Sequence, residues 1–79
     1  MKFKLLTIGS RVEYAGLGAA GAVYDGEQGT IVAILDWETR ESDIGVDWDR
    51  SDPRKHDCMG HARKDHGWWV RPREIKLIF

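Results

Sequence analysis

The 79-residue sequence has a single cysteine and no apolar run near the roughly 18 residues that a membrane-spanning helix needs. A lone thiol, Cys58, rules out an internal disulfide, one of the usual reinforcements of a small domain. It also fits a reducing compartment, so the cytoplasm is the expected location. The missing apolar run excludes a transmembrane helix and leaves no expected membrane partner. Met1-Lys2-Phe3-Lys4-Leu5-Leu6-Thr7-Ile8 places positive charge ahead of apolar residues, as a secretory leader does. Arg11 and Glu13, however, interrupt the apolar core before the cleavage-like Ala19-Ala20-Gly21-Ala22, and the segment reads as a first strand. Helical patterning is missing too. No window of eleven residues holds apolar positions at i, i+3, i+4 and i+7 without a glycine breaking it. There is no internal repeat, low-complexity tract or linker, and the length allows one domain, residues 1–79.

Net charge is also scarce, at −1, but it is unevenly divided. Residues 8–49 carry two arginines against nine acids, a balance of −7. Residues 50–76 carry eight bases against four acids, a balance of +4, and Lys2 and Lys4 supply the rest. Such a division either gives a two-faced surface or is mixed away by the fold.

What remains is short alternating runs punctuated by glycine, the pattern of a small β structure. Arg11-Val12-Glu13-Tyr14 alternates after Gly9-Ser10. Ala15–Gln28, with Gly16, Gly18, Gly21 and Gly26, reads as a long flexible loop. Gly29–Trp37 is apolar on both faces, which suits a strand serving two sheets in turn, and Glu38–Ser42 is a polar turn. In Ile44-Gly45-Val46-Asp47-Trp48-Asp49 the apolar residues point inward and the aspartates outward. Ser51–Asp65 is polar and aperiodic. Trp68–Arg71 is a strand, Pro72-Arg73-Glu74 breaks it as a 3₁₀ turn, and Ile75–Phe79 closes the sheet. The expected fold is all-β: a five-stranded SH3-like barrel with a long loop before the fourth strand and a short 3₁₀ turn before the last. Val12, Ile31, Ala33, Leu35, Val46, Trp48, Val70 and Leu77 occupy one phase of the alternation and form the expected core.

Several motifs together resemble a group of short bacteriophage- and prophage-encoded proteins. They are Gly26-Glu27-Gln28-Gly29, Gly45-Val46-Asp47-Trp48-Asp49, His56-Asp57-Cys58 and His66-Gly67-Trp68-Trp69-Val70. The outline is similar, more distantly, to the SH3-like barrels of Mind bomb ubiquitin ligases and to KOW-type modules. The resemblance spans residues 9–78 and implies a fold and a viral setting, with no reaction. Relatives carry a second cysteine where this chain has Ala62 and a glycine where it has Asp65, which weakens any shared metal role.

Two constellations bear on chemistry. His56, Cys58, His61 and His66 fall within eleven residues and are the candidate zinc ligands, since zinc takes four N and S ligands. The alternative is that they hydrogen-bond the backbone of their own loop, and no cofactor is expected on that reading. Cys58 and the histidines also hold the parts of a nucleophile and base. A domain this small leaves little room for a substrate pocket, so no enzymatic activity is expected. The second constellation is aromatic and basic: Trp37, Trp48, Trp68 and Trp69, with Arg54, Lys55, Arg63, Lys64 and Arg71. A small core cannot bury four indoles, and adjacent Trp68 and Trp69 face opposite sides of a strand. Trp37, Trp69 and those basic residues are therefore the candidate binding surface, for a protein partner first. The alternative is nucleic acid bound by the basic residues between 50 and 73, Arg50 and Arg73 included, which the overall acidity opposes. A monomer or weak dimer is expected.

Overall fold

The perfect alternation of residues 44–49 becomes a central strand in the computed structural model, which describes residues 7–16, 18–35 and 43–78. The strands are β1 (Arg11–Tyr14), β2 (Ala19–Ala20), β3 (Val23–Tyr24), β4 (Gln28–Leu35), β5 (Asp43–Trp48), β6 (Gly67–Val70) and β7 (Ile75–Ile78). A 3₁₀ turn, Pro72–Glu74, precedes β7. Five strands form one antiparallel sheet in the order β6-β5-β4-β1-β7, and β2 and β3 make a separate hairpin. The expectation of an all-β chain with five principal strands and a 3₁₀ turn holds among the described residues. No helix there is long and apolar enough to cross a membrane.

Sequence chemistry accounts for the joins. Pro72 sets φ at the first position of the 3₁₀ turn, while Arg71 donates its N–H to Glu74 Oε1 at 2.8 Å and Glu74 returns an N–H to Arg71 O at 2.9 Å. In β4 the register slips between Ile31 and Ala33, so Val32 is an extra residue against β5 and bends the strand. The first residues of β4 pair with β1 and β5 together, and the last only with β5. The strand thus lies in one sheet with alternating burial, rather than serving two sheets in turn. Gly29 sits at a close crossing: a Cβ there would come within 2.7 Å of Asp47 O.

Val12, Ile31, Ala33, Val46, Trp48 and Val70 are buried as the alternation requires, and Ile44 joins them. Leu35 and Leu77 are only half-buried. Leu35 is the last paired residue of β4, and Leu77 lies on an edge strand whose outer side has no neighbouring strand among the described residues. Two corrections concern the segment expected to be a flexible loop and the segment expected to be a first strand. Residues 19–24 form the β2–β3 hairpin, which sends Val23 into the core. Thr7–Ser10 is a turn closed by Ser10 N–H to Thr7 O, and residues 1–6 lie outside the described residues, as does the Glu38–Ser42 turn.

Candidate interaction surface

The long segment between β5 and β6 is tied down at nearly every step. Asp52 N–H reaches Asp65 O at 2.9 Å, and Ala62 N–H reaches Asp57 O at 2.8 Å. His56 and Gly67 exchange two backbone bonds of 2.9 and 2.6 Å, so the loop lies against the outer edge of β6. Side chains complete the work. Arg63 N–H donates to Asp47 Oδ2 at 2.9 Å, Cys58 N–H to His56 Nδ1 at 2.9 Å, and His66 Nδ1 lies 2.7 Å from Trp48 O.

These contacts engage two of the four candidate zinc ligands through Nδ1. Nδ1 of His56 accepts from Cys58 N–H and Nδ1 of His66 lies against Trp48 O, Cys58 is fully buried, and His61 is exposed. No group of three or more His, Cys, Asp or Glu side chains among the described residues is placed to hold a metal ion. His56, Cys58, His61 and His66 are therefore not gathered as a metal site; His56 and His66 fix the loop instead. Burial pushes the Cys58 thiol up to about 11, so it is protonated near neutral pH and a poor nucleophile.

The loop and the β2–β3 hairpin are joined by an ionic cluster. Lys55, placed by sequence on the binding surface, is instead buried, its side chain 0% exposed. Its Nζ donates to Glu27 Oε1 at 2.7 Å and to Arg50 O at 2.6 Å. Arg50 donates to Glu27, to Asp52 and to the carbonyl of Ala22. Arg54 grips Asp52 through Nε and Nη2, at 3.1 and 2.8 Å, and gives a further bond of 2.9 Å to Tyr24 Oη. The Arg54 hydrogen bonds hold Asp52 well below the usual carboxylate range. Burial works to raise Glu27, and the bonds from Arg50 and Lys55 outweigh it. Asp47 follows the same balance through Arg63, and Asp49 is lowered first by its bond from Arg11. All four carboxyls thus have folded values below their unfolded ones. Their contribution is complete above the unfolded values of about 4 and is lost as pH falls through the lowered folded values. The urea midpoint is expected to begin falling below about pH 5 and to go on falling toward pH 2. A midpoint flat over that range would contradict these pairings.

The same pairs mix the two charged halves of the chain. Glu27 meets Arg50 and Lys55, Asp47 meets Arg63, Asp43 meets Arg71, and Glu13 meets Lys76. Lys64 is exposed. Trp69 lies over Gly45, where a Cβ would come within 2.9 Å of the ring, and faces a shallow groove of about 320 Å³ lined also by Asp43, Val70, Arg71, Arg73 and Glu74. Trp37 lies outside the described residues. Of the residues expected on the binding surface, Arg54 lies at the ionic cluster, Arg63 on Asp47, and Trp69 and Arg71 at the groove.

A different aromatic set is brought together. Trp68 packs partly against the core, and its ring sits where a Cβ on Gly21 would be, at φ +59, so only glycine fits. His56 stacks on the outer side, with ring centroids 5.2 Å apart. From Gly21 the hairpin runs to Tyr24, which is 43% exposed. The guanidinium carbons of Arg50 and Arg54 lie 5.3 and 5.7 Å from its ring centroid. Trp68 with His56 at Gly21, and Tyr24 with Arg50 and Arg54 three residues further on, make up an aromatic strip that follows the hairpin chain from Gly21 to Tyr24. Tyr24 was hidden in sequence by its glycine-rich surroundings; the Val23-Tyr24 in-out pair was the only signal. The chain matches no protein family model and no curated protein sequence.

Proposed function

We propose that the chain is a non-enzymatic protein-binding module of bacteriophage type, a small SH3-like barrel acting in the host cytoplasm as an adaptor or inhibitor. The strand order β6-β5-β4-β1-β7, the hairpin inserted between β1 and β4, and the 3₁₀ turn before β7 support the SH3-like reading. The observation that carries the binding role is the half-exposed Tyr24 with two arginine guanidiniums packed against its ring. Tyrosine, tryptophan and arginine dominate protein interface hot spots, and here their rotamers are set in advance by Asp52, Glu27 and Gly21. Nucleic acid is disfavoured as partner, because Arg50, Arg54, Lys55 and Arg63 are each satisfied by a carboxylate and little positive potential is left for phosphate.

The test is affinity capture from bacterial lysate, with and without nuclease, using wild type and Tyr24→Ala as baits. A captured protein that survives nuclease and drops at least tenfold with Tyr24→Ala is the expected result. Capture abolished by nuclease would overturn the assignment in favour of nucleic acid.

A further inference from the structure

The geometry points to Met59 as an anchor side chain, presented on a rigid prong for insertion into an apolar pocket on the protein partner. The inference rests on the protein-binding reading above. Cys58, Met59 and Gly60 have φ of 49, 58 and 93°, three consecutive left-handed residues of which two are not glycine. Such positions are disfavoured for residues with a Cβ, and they persist where the surroundings over-determine them, commonly at functional sites. Here the surroundings do so. Cys58 is rooted at 0% exposure and donates its N–H to His56 Nδ1, while Asp57 O accepts from both Gly60 and Ala62. His61 N–H closes the turn on Cys58 O at 3.2 Å.

The tip stands clear of the protein. Met59 is 74% exposed, more than the other large apolar residues exposed among the described ones, Ile8 and Tyr24, and a Cβ at Gly60 would meet nothing within 4 Å. Met59 is thus a long apolar side chain held in a disfavoured backbone conformation and left in solvent on a hydrogen-bonded loop. Methionine's unbranched, polarisable chain suits an irregular apolar pocket. The prong is also joined to the aromatic strip, since the His56 ring that holds Cys58 stacks on Trp68.

Two measurements test this. Asparagine accepts the left-handed region more readily than methionine, so Met59→Asn is expected to raise Tm by roughly 4 °C or more. In the capture experiment, the same variant is expected to lower recovery of the wild-type partner at least tenfold, with Met59→Leu within about threefold of wild type. A fall in Tm for Met59→Asn would make Met59 a structural residue and overturn the inference. So would unchanged recovery with Met59→Asn, which leaves the protein-binding reading standing. Failure of the wild type to capture any protein would instead remove that reading, and this inference with it.

Discussion

Trp48→Ala is expected to lower stability by roughly 3–5 kcal/mol, the usual cost of deleting a large buried aromatic. A chain of this length has about 4–12 kcal/mol in all, so the variant is expected to lose from about a quarter to all of its stability. Trp48 is fully buried at the centre of the cluster formed by Val12, Tyr14, Ile31, Ile44, Val46 and Val70. Its ring meets Tyr14 edge-on, with centroids 6.3 Å apart and planes at 77°. One feature tempers the loss. The indole N–H of Trp48 has no hydrogen-bond partner among the described residues, and an unsatisfied buried donor costs about 1–3 kcal/mol. Trp48→Phe removes that donor and keeps an aromatic ring, so it should cost well under half of what alanine does. Urea melts of the two variants check this, and a fully stable Trp48→Ala would mean that this indole is not the centre of the core.

Lys55→Met should be nearly as damaging although its site lies within a polar loop. The change deletes the donor to Glu27 Oε1 and to the Arg50 carbonyl while leaving both acceptors in place. Breaking a buried pair from one side costs about 3–5 kcal/mol, because the remaining charge stays desolvated. Arg50 still reaches Glu27, which puts the expected loss near 3 kcal/mol, at the low end. The double variant Glu27→Gln, Lys55→Met removes the stranded charge and should recover part of that loss. A Lys55→Met variant within about 0.5 kcal/mol of wild type, the range of ordinary surface substitutions, would show that the ammonium is solvated.

The strand framework was legible because period-2 alternation is a local signal: Ile44, Val46, Trp48 and the break at Pro72 each announce themselves within a few residues. Residues whose roles depend on distant partners were not. Lys55 reads as a surface base until Glu27, 28 residues away, is found beside it, and Arg63 reads likewise until it meets Asp47. The His and Cys residues looked like ligands because they are close in sequence, whereas the folded loop turns His56 Nδ1 to Cys58 N–H and His66 Nδ1 to Trp48 O and places no three of them to hold a metal ion. Trp68 and Trp69 were rightly expected on opposite faces. Which of them borders the loop was decided by Gly21, whose missing Cβ leaves room for the Trp68 ring.

Everything proposed for the strip and the prong depends on the loop between β5 and β6 being fixed before any partner arrives. Native-state amide exchange measures that directly. The N–H groups of Asp52, His56, Ala62 and Gly67 are bonded to Asp65, Gly67, Asp57 and His56 in turn. They are expected to exchange at least a hundredfold more slowly than in an unstructured peptide, and those of His56 and Gly67 at rates near the β5–β6 amides. Unprotected exchange at all four would contradict the account, since a loop that opens freely cannot hold Tyr24, Trp68 and Met59 in a surface made in advance.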